Sequence, residues 1–383
     1  MKVVIKARPQ DFIVEEIAAL PLSPKGPFRV YLLTKSGRNT VELIQELCRK
    51  FNLSRDAISY GGRKDRHSLS SQYIAIKSPK LMEAKQDDFS LKFIGFMKRP
   101  MGPDLIQGNK FEVTVRKLSA ADIKKAESGI EGVNEAGFAN YFDDQRFGSF
   151  DDRQGFLAEK VLKQEFNGAL KVYLTAINPA DKKEEKERKK FFFEHWKDWK
   201  ACLMPAKTRY EREIFAYLTQ KPNAILEVLR KISRKELSMH FSTYQAYLWN
   251  EILRRIIISR LHKPYKIYPG IAGDYVFCSS KDDYLEDLIL SVPGSKAQLA
   301  DKDVEAVYHK VLADRGIKQS AFNKLKLRQA FFKSFARQAL VKPQDLDFTV
   351  VQDEIYPGKK KLTLRFSLPR ASFATMLVKA IFS

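Results

Sequence analysis

The chain has 383 residues, 44% of them hydrophobic and 12% aromatic, with 68 Lys+Arg against 46 Asp+Glu and a formal net charge of +22. That apolar content excludes a disordered tail as the carrier of the charge, so the excess lies on a folded surface, where it attracts polyanions and most often nucleic acid. Cys48, Cys202 and Cys278 are too scattered for a disulfide framework or a thiolate metal site, and His67, His195, His240, His262 and His309 form no pair at ligand spacing, so no metal is expected.

The start, Met1 to Lys6, lacks the apolar run of a signal peptide, and no uncharged segment of about 18 residues follows, so a cytoplasmic protein is expected. The length predicts two or three domains. From residue 1 to about 150, short β-branched and aromatic runs (Val3 to Ile5, Phe12 to Val14, Arg29 to Leu33, Tyr73 to Ile76, Lys110 to Val115) alternate with the helical stretches Val41 to Phe51 and Ala120 to Ile130. This is the texture of an α+β domain.

Within it, Ser59 to Gln72 contains Gly61-Gly62-Arg63-Lys64-Asp65-Arg66-His67, a polar turn with one acid among cations. Neighbouring positive charge favours an ionised carboxylate, and the glycines allow the backbone to approach a ligand closely. Asp65 is the first candidate for a catalytic residue. The plain alternative is a solvated turn whose charges pair weakly.

The middle of the chain is mostly helical. Arg153 to Leu162, Tyr210 to Tyr217, Asn223 to Ile232, Phe241 to Leu261, Lys302 to Asp314 and Phe322 to Phe335 all carry apolar residues three and four apart. The charge run Asp181 to Lys190 reads as a solvated helix face leading into an apolar anchor at Phe191 to Phe193. Strand-like alternation returns at Asp347 to Asp353 and Lys361 to Leu368, around the turn Tyr356-Pro357-Gly358, and a last short helix is expected over Phe373 to Phe382. Because the first texture comes back, the helical middle reads as an insertion.

Three further segments stand out: Lys6-Ala7-Arg8-Pro9-Gln10-Asp11-Phe12, Asn140-Tyr141-Phe142-Asp143-Asp144-Gln145-Arg146-Phe147-Gly148, and Phe366-Ser367-Leu368-Pro369-Arg370-Ala371-Ser372-Phe373-Ala374-Thr375. With the Gly-x-Lys-Asp turn, and in this order along nearly the whole chain, they resemble the TruD family of tRNA pseudouridine synthases. The resemblance implies a discontinuous catalytic domain (1–154 and 337–383) on a mixed, mainly antiparallel sheet, and an inserted, mostly helical α+β domain over 155–336. It implies isomerisation of a uridine in folded tRNA, at position 13, without a cofactor and by a monomer with no obligate protein partner.

Matched residue by residue, the resemblance makes Asp65 the catalytic aspartate and Lys6 the lysine beside it. It makes Asn140 an active-site asparagine and Phe142 the aromatic platform for the target base. A further pocket residue is placed at Phe373, with Phe366 as second choice. Asp143, Ser68, Ser70 and Ala371 depart from the family pattern, which has glycine at 143 and 371 and Ala and Thr at 68 and 70. Gly108-Asn109-Lys110-Phe111 fits the family's strand entry.

The chemistry suits such a set. Uridine becomes pseudouridine by breaking N1–C1′, turning the uracil and joining C5 to C1′. An anionic Asp65 can stabilise or trap positive character at C1′ or take a proton from the sugar, and the sequence leaves both roles open. A base inside folded RNA must be turned out of its stack, which calls for an aromatic face worth roughly 1–3 kcal/mol. Arg63, Lys64, Arg66 and Arg146 are candidate phosphate contacts. Two readings from other classes remain at this stage: a non-catalytic structured-RNA-binding or RNA-chaperone protein, and a nuclease, which would want a second carboxylate or a His pair.

Overall fold

Strands form where β-branched and aromatic residues alternate with polar ones, and they build one ten-stranded sheet. The structure, a computed structural model, describes residues 4–178, 180–261, 265–327, 329 and 331–383. Val3, at the head of the first expected strand, and His262 lie outside them. The chain divides into two compact units, Met1–Phe138 with Val341–Ser383, and Ala139–Leu340.

The first unit holds the sheet: β1 (Val4–Ile5), β2 (Phe12–Ala18), β3 (Phe28–Ser36), β4 (Ile58–Tyr60), β5 (Leu69–Lys77), β6 (Ala84–Lys85), β7 (Phe89–Met97) and β8 (Ile106–Leu118), followed by the late strands Gln344–Gln352 and Lys360–Pro369. Across the sheet the late strands come first, then β8, β2, β5, β3, β7 and β6, with β1 added on β8 and β4 on β5. The β2–β5 pair is parallel and the other pairings are antiparallel. The sheet is mixed and mainly antiparallel, as expected.

On one face, helix α1 (Thr40–Lys50), capped by Asn39, presses Leu43, Ile44 and Leu47 onto Tyr31, Leu33, Ile74 and Ile76. Helix α2 (Ala120–Ala136) begins at a Ser119–Asp122 capping box and packs on the closing helix Ala374–Ile381. At Gly108 an added Cβ would lie 2.3 Å from the carbonyl oxygen of Leu368, so only glycine lets the strand Lys360–Pro369 come this close to β8.

A buried charge cluster joins the two ends of this unit. Arg116 on β8 is 1% exposed and grips Asp11 with two nitrogens, at 2.9 and 2.7 Å, while a third reaches Asp353 at 2.9 Å. Asp353 also accepts the amides of Lys117 and Ile355. With its lone pairs satisfied, the cluster meets the condition under which buried ions are tolerated.

The second unit is mostly helical. Its spine is the 27-residue helix Arg234–Arg260, which buries Leu237, Phe241, Tyr244, Leu248, Trp249, Ile252 and Ile256. Leu157–Leu162, Phe166–Thr175, Lys183–Glu194, Arg209–Gln220, Ile225–Lys231 and Lys302–Asp314 are its other helices of six or more residues among those described. Two small antiparallel pairs, Tyr265–Tyr268 with Tyr275–Cys278 and Ile289–Ser291 with Ala336–Gln338, complete it. The charge run folds as expected: Lys189 pairs with Glu185 at 3.0 Å, and Phe192 anchors the helix in the core.

The helix expected over Phe322 to Phe335 is absent among the described residues there. A short 3-10 turn, Gln319–Asn323, gives way to irregular chain. The apolar spacing comes from separate anchors instead: Phe332 stacks on Phe241 at 4.6 Å and meets Phe322 edge-on.

Candidate active site

Lys6 leaves the sheet as soon as β1 has made its two pairings, and its backbone turns left-handed, φ 62°. A lysine held in that conformation is strained. The turn lays its ammonium over the ring of Phe12, 4.2 Å from the centroid, and 2.5 Å from Oδ2 of Asp65. Phe12 meets Phe111 edge-on, and Phe111 stacks on Phe366 at 5.4 Å, so three neighbouring strands supply an aromatic floor beneath the lysine.

Asp65 lies in the turn between β4 and β5. Its backbone carbonyl accepts from Lys35 Nζ at 2.6 Å and from Ser68 Oγ at 2.9 Å, while Oδ1 of its side chain accepts the amide of His67 at 3.2 Å. The rest of the turn is fixed the same way. Gln72 donates to the carbonyl of Gly62 at 3.0 Å, and Thr40 accepts the amide of Lys64 at 3.1 Å. Gly61 leaves room for the Ile106 side chain, since a Cβ there would fall 2.5 Å from Ile106 Cγ1 and 3.2 Å from the carbonyl of Gly102. The Asp65 side chain is 29% exposed, reachable by a ligand, while the scaffold behind it is buried.

Lys64 points inward. Its ammonium binds Glu16 at 3.0 Å and Asn109, and the second Glu16 oxygen accepts the amide of Tyr73 at 3.0 Å. Arg63, Arg66 and His67 are exposed. A cavity of about 310 Å³ opens beside the turn, lined by Gly61, Gly62, Arg63 and Lys64 and by Arg370. Lys35 is wholly buried, and burial pushes its ammonium down to about 8, against the opposing pull of Asp65.

Of the expected residues, Lys6 and Asp65 are brought into contact. Phe366 is 1% exposed in the floor, and Phe373 is half-buried at the N-cap of the closing helix. Ala371 adopts φ 63°, the conformation glycine would take without strain.

Asn140, Phe142 and Arg146 belong to the second unit and form a cluster of their own. The Asn140 side chain donates to the carbonyl of Gln338 and accepts from Arg337 at 2.8 Å. Phe142 is 6% exposed, with the Arg337 guanidinium 4.2 Å over its ring, that of Arg146 at 5.9 Å, and Trp249 edge-on. Asn250 brackets the Phe142 backbone by accepting from its amide and donating to its carbonyl, both at 2.9 Å. Burial lowers Arg337 to about 9.

Lys35, Glu16 and Arg337 are the residues that sequence reasoning passed over. For Glu16 a signal existed: period two places it on the face of Phe12 and Val14, and an inward acid needs a partner. Lys35 sits in an apolar strand run on no special motif, and Arg337 lies in a stretch with no legible pattern.

Comparison with known proteins follows the same lines. Residues 1–381 match the family model described as tRNA pseudouridine synthase D (TruD). A protein named tRNA pseudouridine synthase D from Leptospira interrogans (serovar copenhageni) is 30% identical over 98% of this chain and 95% of its own. Its namesake in Aquifex aeolicus is 28% identical over 100% and 98%. A TruD crystal structure from Methanosarcina mazei superposes with a TM-score of 0.76, at 23% identity, over 99% of this chain and 93% of that one, a likeness of fold.

Proposed function

The chain belongs to the TruD family, the tRNA pseudouridine synthases that isomerise uridine in tRNA, and we propose that its target is uridine 13 and its catalyst Asp65. The observation that carries the second part is the contact between the Asp65 carboxylate and the Lys6 ammonium at 2.5 Å. A solvated turn would not recruit a lysine from 59 residues away, held in a left-handed backbone, to meet its one acid.

The reaction needs a negative group at the sugar while the N1–C1′ bond breaks, the base turns and C5 joins C1′, with a proton lost from C5 and one gained at N1. The net change moves one bond and consumes no other reactant. Asp65 serves this either as nucleophile at C1′ or as base toward the sugar. Lys6 orients the carboxylate through a charge-assisted hydrogen bond, leaving Oδ1 to the His67 amide. Arg63 and Arg370, at the mouth of the neighbouring cavity, suit the RNA backbone that brings the nucleotide in.

For Asn140 and Phe142 the proposal is base recognition, supported by their match to the family motif, by the hold of Arg337 on both and by that of Asn250 on the Phe142 backbone. Arg66 and Arg146 are proposed as phosphate contacts, both being exposed. Lys64 is better suited to fixing the turn, because Glu16 already neutralises it.

The test incubates the protein and its Asp65→Asn variant with unmodified tRNA and maps pseudouridine at single-nucleotide resolution. The expected result is one modified uridine, at position 13, made by the wild type alone, with tRNA binding retained by the variant. Product formed by Asp65→Asn removes Asp65 from the chemistry, and product at another position corrects the target. Binding without product by the wild type makes the chain a structured-RNA-binding protein.

A further inference from the structure

We propose that Lys35 is a positioning residue for the isomerisation, its buried ammonium clamping the backbone of Asp65 from inside the sheet so that the carboxylate stays against Lys6. The inference rests on the assignment of Asp65 as catalyst.

The geometry is unusual for a lysine. Lys35 lies on β3, between β5 and β7, with its side chain 0% exposed and no carboxylate among its hydrogen-bond partners in the described residues. Its Nζ instead donates 2.6 Å to the carbonyl of Asp65, an oxygen that also receives the Ser68 hydroxyl. Carrying an ammonium into a dry interior is costly, and a methionine would fill the same strand position without that penalty. What the ammonium provides there is a charged donor on the one peptide whose side chain does the chemistry.

The surroundings leave few other roles for it. The β5 residue opposite Lys35 is Ser70, whose buried hydroxyl has no hydrogen-bond partner among the described residues, and the β7 residue opposite is Phe89. The charges that bear on Lys35 come from the turn. Asp65 favours the ammonium and Lys64 opposes it, with Lys64 itself bound to Glu16 from β2. Lys6, at the end of β1, is engaged with the Asp65 carboxylate. Rigid strands on both sides fix the donor, so the position of Asp65 is referred to the centre of the sheet rather than to its own loop.

A second consequence concerns pH. Burial brings the Lys35 ammonium down to about 8, so the clamp weakens as it loses its proton above that value. Activity should therefore fall on the alkaline side with Lys35 as the titrating group.

The experiment measures single-turnover rates on unmodified tRNA from pH 6 to 9.5 for the wild type, Lys35→Met, Lys35→Gln and Asp65→Asn, with tRNA affinity and a thermal melt for each. The expected wild-type profile declines above about pH 8. Lys35→Met and Lys35→Gln should run tenfold or more slower at pH 7, bind tRNA within twofold of wild type, melt no lower than wild type, and show no alkaline decline. Wild-type rates in both lysine variants, with Asp65→Asn inactive, overturn the role of Lys35 and leave Asp65 in place. An alkaline decline that persists in them overturns the pH assignment. Activity in Asp65→Asn overturns both proposals.

Discussion

The ammonium of Lys6 lies 2.5 Å from Oδ2 of Asp65, and the two residues reach each other from the chain just after β1 and from the turn between β4 and β5. Because β1 contributes only two pairings before the chain turns left-handed at Lys6, the contact depends on a local conformation that the rest of the unit must hold.

Lys6→Met tests what that contact does. A hydrogen bond to a charged group contributes about 1.5–3 kcal/mol, so turnover is expected to fall about 10- to 100-fold while tRNA affinity and Tm change little. A loss of affinity equal to the loss in rate would make Lys6 a binding group instead.

Arg116→Met tests the buried cluster. It takes the buried guanidinium from Asp353 and leaves Asp11 only the half-exposed Arg8 at 3.3 Å, and unfolding free energy is expected to drop by about 3–5 kcal/mol in urea titrations. Asp353 also predicts the acid side. Although burial opposes it, the backbone amides of Lys117 and Ile355 and the Arg116 guanidinium hold its carboxyl below the ordinary 3.8. Its contribution is therefore complete above that value and lost as pH falls through the lower folded one, which a Tm series from pH 6 to pH 2 will read.

Lys35 carries the opposite sign. Its fall from 10.5 to about 8 means that the folded state disfavours the ammonium by roughly 3 kcal/mol below pH 8, a cost that fades as pH rises toward 10.5. Lys35→Met is expected to be the more stable protein at pH 7, by up to about 3 kcal/mol less the lost hydrogen bond, with the advantage shrinking at pH 10.

Ala371→Gly restores the residue suited to φ 63°. Relief of about 1–2 kcal/mol of left-handed strain, offset by about 0.4–1 kcal/mol of added chain entropy in the unfolded state, predicts a net gain of up to about 1 kcal/mol in a thermal melt.

Arg63→Ala and Arg370→Ala test the cavity mouth. Each should weaken tRNA binding on all sequences alike and reduce the dependence of log affinity on log salt by about 0.7–0.9, the share of one phosphate. An unchanged slope places the phosphates elsewhere.

The parts of this protein that could be read from sequence are those where one physical pattern dominates. Lys302–Asp314 has its Asp301 cap and a regular apolar stripe, and the structure keeps the expected bounds. The strand Phe89–Met97 went unpredicted because its alternation holds only from Phe89 to Phe93 and breaks at Ile94 and Gly95, although in the sheet path it lies between β3 and β6. The helix expected from Phe322 onward failed because aromatic anchors spaced three and four apart can each find a separate partner. At the site, Asp65 declared itself through its charged, glycine-led turn, while Lys6 was recognisable by family likeness alone. Its left-handed backbone has no signature in a residue other than glycine.

Arg116 fastens Asp11, near one end of the chain, to Asp353, near the other. On a ribosome these two appear at very different times. The whole of Ala139–Leu340 must emerge between the early strands and the late ones, which at about 5–20 residues per second takes roughly 10–40 seconds. Throughout that interval β8 has an open edge and Arg116 lacks two of its carboxylates, Asp353 and Glu354. The unit that contains Lys6 and Asp65 is therefore among the last parts of the molecule to close, and a nascent chain cannot hold a finished site before its final strand is made.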